Sequence, residues 1–131
     1  MCSSDLRYIP EEELSLYFSA SDLCVLPYRD VYQSGVLQLV YAYEKPPVVS
    51  AIPSFLELVS EGETGYLFEN GNEDSLAGAM ERAAGDREHW AAMGRRGREQ
   101  VRQTLSWDRI AGKVLSLYRE AMGQPLEGQE P

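Results

Sequence analysis

The polar chemistry of this chain concentrates in one loop, Pro27-Tyr28-Arg29-Asp30-Val31-Tyr32-Gln33-Ser34-Gly35-Val36. It follows the short apolar run Leu23-Cys24-Val25-Leu26, which reads as a strand, and runs into a helix starting near Ser34. A helix start leaves its first N–H groups without intrahelical partners, and the helix dipole favours anions there. The N–H groups of Ser34, Gly35 and Val36 are therefore a candidate phosphate site. Gly35 allows close backbone approach, and the Ser34 hydroxyl can add a hydrogen bond. Ser34-Gly35 is equally the start of an ordinary capped helix. Asp30, at the mouth of the loop, has two readings: an acceptor for sugar hydroxyls, or a turn former. Glu57 also has two: a partner for ribose or sugar hydroxyls, or an acid favouring the start of a short helix. Arg29 is the only base between Arg7 and Lys45. It can neutralise a departing anion or point to solvent.

Other chemistries find little support. His89 is the only histidine, lies among charged residues, and is expected to be exposed. No Cys/His cluster has zinc-ligand spacing, and no Asp-x-Asp pair offers a magnesium site. There is no P-loop and no G-x-G-x-x-G. Neither a metal nor a resident cofactor is expected.

The elements that must position these residues are legible from periodicity. Tyr8-Ile9 reads as a strand remnant. Pro10 then suits the first turn of a helix with Glu11, Glu12 and Glu13 at its positive end and an apolar face of Leu14, Tyr17 and Phe18. After the loop, Val36, Leu39, Val40 and Tyr43 trace one face of the next helix, which Pro46 ends. Val48-Val49 reads as a second buried strand. Phe55, Leu58 and Val59 form a short helix, and Tyr66-Leu67-Phe68 a third strand. The rest is helical. One helix is capped by Asn72 and packs Leu76, Ala79, Met80 and Ala83. A second carries Trp90, Met93 and Val101, with Gly94 and Gly97 weakening it. A third is capped by Ser106, with Ile110, Val114, Leu117 and Tyr118 on one stripe. Strands alternating with helices give an α/β fold with a parallel sheet.

With 131 residues, 44% hydrophobic and 25% charged, the chain has the composition of one globular domain. Residues 1–6 lack periodicity and resemble a non-native leader, so the natural sequence is expected to begin near Arg7. The domain is expected over residues 7–122 and a flexible tail over 123–131. Net charge is −9. Residues 1–81 carry fourteen acids and three bases, whereas residues 82–131 carry seven acids and nine bases. The acidic part argues against nucleic acid. Arg95, Arg96, Arg98 and Arg102 read as a solvated helix face, with a peripheral contact to an anionic membrane as the alternative. No run of 18 apolar residues is present, and Cys24 lies inside an apolar run. A cytoplasmic location is expected.

The ordered set of segments resembles the retaining glycosyltransferases of the GT-B fold, glycosyltransferase family 4 (glycosyl transferases group 1). The residues that carry the resemblance are Glu12-Glu13-Leu14, Ser19-Ala20-Ser21-Asp22-Leu23-Cys24-Val25-Leu26-Pro27, Lys45-Pro46-Pro47-Val48-Val49, Glu61-Gly62-Glu63-Thr64-Gly65-Tyr66-Leu67-Phe68, Asn72-Glu73-Asp74-Ser75-Leu76 and Ser106-Trp107. They cover residues 7–122. The resemblance implies the Rossmann-like C-terminal half of a GT-B fold. That half binds a UDP- or GDP-linked sugar, and an N-terminal half holds the acceptor. Hexosyl transfer would proceed with retention and without a metal. On that reading Ser34, Gly35, Val36 and Arg29 would hold the donor diphosphate, and Asp30, Gln33, Gln38 and Glu57 its sugar or ribose hydroxyls, with Ser34-Gly35 and Glu57 the positions that the resemblance itself matches.

The chain departs from that pattern at three places. The family's glutamate pair, with seven residues between the two, falls on Val31 and Leu39 or, shifted by one, on Asp30 and Gln38. Glu44 replaces the glycine before Lys-Pro, and Pro53-Ser54 replaces a Gly-Gly before Glu57. The alternative function is therefore a non-catalytic nucleotide-binding or interaction module of the same fold. A flavodoxin-like signalling domain and a nucleotide-sugar epimerase are more distant alternatives.

Overall fold

Alternation along three short strands organises the molecule. In the computed structural model, which describes residues 8–123, β1 is Cys24–Leu26, β2 Pro47–Ser50 and β3 Tyr66–Phe68, hydrogen-bonded in the order β1-β2-β3. Both pairings are parallel and in register: Val25, Val48 and Tyr66 line up, as do Leu26, Val49 and Leu67. Successive side chains point to opposite faces. Val25, Val48, Tyr66 and Phe68 thus join Ala79, Ala83 and Met93 on one side, while Leu26, Val49 and Leu67 join Leu37, Val40, Tyr41, Ile52, Phe55 and Val59 on the other. A sheet covered on both faces must be built from near-continuous apolar runs, which is what these strands are.

Among the described residues there are six α-helices: α1 Glu11–Ala20, α2 Gly35–Ala42, α3 Pro53–Leu56, α4 Glu73–Gly85, α5 Trp90–Thr104 and α6 Trp107–Ala121. Asn72 caps α4 by accepting from Ser75 N at 3.0 Å, and Ser106 caps α6 by accepting from Arg109 N at 3.3 Å. Pro10 stands at the N-cap of α1, one residue before the helix proper, and Tyr8-Ile9 form no strand.

Three expectations are corrected. The face that α2 buries is Leu37, Val40 and Tyr41, while Val36 and Leu39 stay exposed. The helix is apolar on nearly every side, so two stripes share the i, i+3, i+4 spacing, and only packing chooses between them. Gly94 and Gly97 are contact points of α5. A Cβ on Gly94 would lie 1.8 Å from the Glu44 carbonyl oxygen, and one on Gly97 would lie 2.0 Å from the Tyr41 ring. Their missing side chains let α5 close onto α2. The stripe of α6 is not buried either: Val114, Leu117 and Tyr118 are exposed, and α6 has no buried residue among those described.

Glu44 adopts φ 54°, in the left-handed region. That conformation favours glycine, which explains what a glycine at this turn would contribute. Arg98 pairs with the Glu44 carboxylate at 2.9 Å, and Arg96 donates to the Glu63 carbonyl at 2.8 Å, while Arg95 and Arg102 are exposed. Among the described residues, no helix is long and apolar enough to cross a membrane. The leader expected at residues 1–6 and residues 124–131 of the expected tail lie outside the described residues.

Candidate functional site

The loop between β1 and α2 crosses the carboxyl ends of the strands, where open α/β sheets bind ligands. Two hydrogen bonds hold it there. The Ser50 hydroxyl, at the end of β2, donates to the Tyr28 carbonyl, and Asn70 Nδ2, just past β3, donates to the Arg29 carbonyl at 2.8 Å. Tyr28 also rests against Phe55, with ring centroids 5.9 Å apart. The loop is therefore set by residues on both neighbouring strand ends.

At its end, Ser34 takes extended backbone angles and caps α2, its Oγ accepting from Leu37 N at 3.1 Å. The N–H groups of Ser34, Gly35 and Val36 have no partner among the described residues. One Ser34 oxygen lone pair serves the helix, which leaves its proton to donate and a second lone pair to accept. Around Gly35 there is open space: a Cβ built there meets nothing within 4 Å.

Beside this helix start lies a cleft of about 160 Å³, lined by Gln33, Ser34, Gln38, Ser54 and Glu57 among its polar residues. Leu37, Phe55 and Leu58 give it an apolar floor, and Leu105 lines it from the α5–α6 junction. Four of the eight candidate residues thus share one cavity. No hydrogen bond within the described chain engages the side chains of Gln33, Gln38 or Glu57. Glu57 follows the last residue of α3 rather than opening that helix. Its reading as an acid favouring a helix N-terminus is overturned, because α3 starts at Pro53.

The other candidates lie apart from this cleft. Arg29 lines a separate cavity of about 120 Å³ with Asn70, Asn72 and Glu73. Asp30 is exposed in the loop between the two cavities, and Val36 is exposed on the first turn of α2. Sequence reasoning missed Tyr32, Ser54 and Thr104, all of which line the cleft. Thr104 has no local signal, since it arrives from the far end of α5. Ser54 had one: Pro53-Ser54 stands where the resemblance implies Gly-Gly.

The opposite, amino end of the sheet holds a different polar group. Tyr66, the first residue of β3, donates through its hydroxyl to Asp86 Oδ2 at 2.8 Å, and His89 Nδ1 bonds Asp86 Oδ1. Burial, reinforced by the Asp86 hydrogen bond and charge, raises the Tyr66 phenol to about 12. The hydrogen bond to His89 first, then that to Tyr66, lowers the Asp86 carboxyl, and the same Asp86 bond raises the His89 imidazole. Trp90 Nε1 donates to the Ala83 carbonyl at 3.0 Å, and the Arg87 guanidinium lies 5.2 Å from the Trp90 ring centre. These groups satisfy one another.

The pattern of the family described as glycosyl transferases group 1 matches residues 6–100. The chain belongs to this family. An uncharacterized glycosyltransferase of Methanocaldococcus jannaschii is 26% identical over 119 residues, covering 89% of this chain and 30% of its own length. D-inositol 3-phosphate glycosyltransferase of Corynebacterium urealyticum is 26% identical, covering 94% of this chain and 29% of its own length. Among solved structures, sucrose-phosphate synthase of Thermosynechococcus elongatus superposes with a TM-score of 0.76 at 30% identity, over 88% of this chain and 29% of that one. The chain therefore spans about three tenths of the length of these relatives. Its architecture is that of the C-terminal half of a GT-B glycosyltransferase: a parallel Rossmann-like sheet with flanking helices.

Proposed function

We propose that this group 1 domain is the donor-binding half of a glycosyltransferase that uses a UDP- or GDP-linked sugar. The observation that carries the reading is the junction of two features at Ser34. It is the first of three residues with unpartnered N–H groups at a helix start, and it also lines a cleft whose other polar side chains have no partners among the described residues. The helix start would receive the diphosphate, with the positive dipole end and backbone donors matched to its charge. Gln33, Gln38 and Glu57 would take sugar or ribose hydroxyls. Arg29 and Asp30 would act from the same loop, Arg29 supplying positive charge towards the leaving diphosphate. Hexosyl transfer would then rest on positioning and on stabilising the departing diphosphate, with retention and without a metal. An acceptor-holding half of the polypeptide would complete the cleft, so the 131-residue chain alone binds donor without transferring sugar.

The test is a titration with UDP, GDP and their hexose conjugates, followed by amide NMR and calorimetry. Perturbation centred on Gly35 and Val36, with preference for one base, is the expected result. Absence of any response at millimolar ligand would remove the donor reading. A second reading, a non-catalytic nucleotide-binding module, is favoured by Val31 and Leu39 at the positions of the family's glutamates. Donor hydrolysis by the complete protein would count against it.

A further inference from the structure

Ser54 is the second residue of α3 and lines the same cleft as Ser34, Gln38 and Glu57. Its Oγ is buried and has no hydrogen-bond partner, and it is the only such side-chain atom among the described residues. A buried hydroxyl left unpaired costs about 1–3 kcal/mol. Unsatisfied groups of this kind in folded proteins call for an explanation, and a ligand or water that the chain itself does not provide is the usual one. The cleft offers about 160 Å³, well above the roughly 10–15 Å³ that a single water needs. The Ser54 Oγ has no accessible surface where it stands, so it reaches this space by turning about Cα–Cβ.

The chemistry around Ser54 narrows the occupant. Gln33 and Gln38 each present an amide donor and an amide acceptor, Glu57 presents acceptors, and the Ser34 hydroxyl keeps a proton to donate. A mixed set of donors and acceptors suits adjacent hydroxyls, each of which gives one hydrogen bond and receives others. A serine side chain has three χ1 wells, and the observed one holds no partner. Rotation about Cα–Cβ therefore forfeits no hydrogen bond when a ligand enters.

We infer that Ser54 is a specificity-determining residue of this cleft, its hydroxyl turning to hydrogen-bond a vicinal diol of the bound nucleotide sugar. The inference rests on the donor-binding reading above. Ribose and the transferred hexose both carry such diols, and the experiment separates them. UDP and GDP with their 2′-deoxy forms and their hexose conjugates are titrated by calorimetry against the wild-type chain, Ser54→Ala and Ser54→Thr, alongside thermal unfolding without ligand.

Ser54→Ala is expected to weaken binding about five- to thirty-fold while its ligand-free Tm stays equal or rises, because an orphaned hydroxyl is removed. Ser54→Thr, which keeps the hydroxyl, is expected to stay within about three-fold of wild type. If the Ala effect vanishes with the 2′-deoxy nucleotide, the diol is ribose. If it appears only with the conjugates, the diol belongs to the hexose. Equal affinity of Ser54→Ala and wild type for every ligand that the wild type binds overturns the inference and leaves the donor reading standing. Failure of the wild type to bind any of them overturns the donor reading, and this inference with it.

Discussion

The two ends of one three-stranded sheet treat polar groups in opposite ways. At the amino end, Tyr66, Asp86 and His89 bond one another, Trp90 donates to Ala83, and the glycines of α5 press against Glu44 and Tyr41. At the carboxyl end, the loop backbone is tied down by Ser50 and Asn70, but Gln33, Gln38, Ser54 and Glu57 line a cleft and their side chains have no partner among the described residues. Paired polar groups and tight contacts stabilise a fold, whereas unpaired ones at a strand end await something else. The difference suits one end to stability and, on the proposed reading, the other to binding, although the same strands run through both.

The comparison is most exposed to failure at Gly97. Replacing it by Ala puts a Cβ 2.0 Å from the Tyr41 ring, and overpacking of this kind costs about 1–3 kcal/mol or more. Chemical denaturation of Gly97→Ala is expected to show a loss at the top of that range. A change below about 0.5 kcal/mol would mean that α5 does not depend on this contact.

Gly35→Asp is the matching change at the carboxyl end. Nothing lies within 4 Å of the position, so denaturation should stay within about 0.5 kcal/mol of wild type. A carboxylate at the proposed phosphate site should nevertheless weaken nucleotide binding at least about ten-fold in calorimetry. Unchanged binding would detach the helix start from the cleft.

Tyr41→Phe probes the stability end more gently. The Tyr41 hydroxyl donates to the carbonyls of Leu58 at 3.4 Å and Thr64 at 3.3 Å, and burial raises its phenol to about 12. Removing the hydroxyl should destabilise the chain by about 1 kcal/mol and leave ligand binding alone.

The smallest effect is at His89. Its imidazole is raised above its ordinary value of 6.5, so its contribution is present below that value and lost as pH rises through the shifted one. Asp86 is lowered below 3.8, so its contribution is present above that value and lost as pH falls through the shifted one. The Tm difference between wild type and His89→Gln should therefore be widest near pH 5, inside that window, and close at alkaline pH. His89 is exposed and Asp86 only half-buried, so solvent screening keeps it small.

Much of the fold was legible because its signals are local. Ser34, Asn72 and Ser106 cap helices where their side chains reach the third residue on, and three short apolar runs became the three strands. The loop after Leu26 stood out by polarity, and the order of segments matched the family that the comparison then identified. Half the candidate site followed from this: Gln33, Ser34, Gln38 and Glu57 do meet in one cavity. Arg29 did not join them, because the Asn70 bond holds its backbone against the end of β3 and its side chain lines the other cavity.

By itself, then, the sequence determined the α/β class, the parallel strands, the capped helix starts and the family. Each rests on the chemistry of neighbours within a few positions. Only the tertiary structure decided which of two apolar stripes α2 buries, and only it showed that Gly94 and Gly97 are sites of close approach. Thr104 likewise came to Glu57 only through folding. Periodicity is degenerate on a helix that is apolar nearly all round, a glycine looks the same whether or not a neighbour needs its space, and contacts across some fifty residues leave no mark on local spacing.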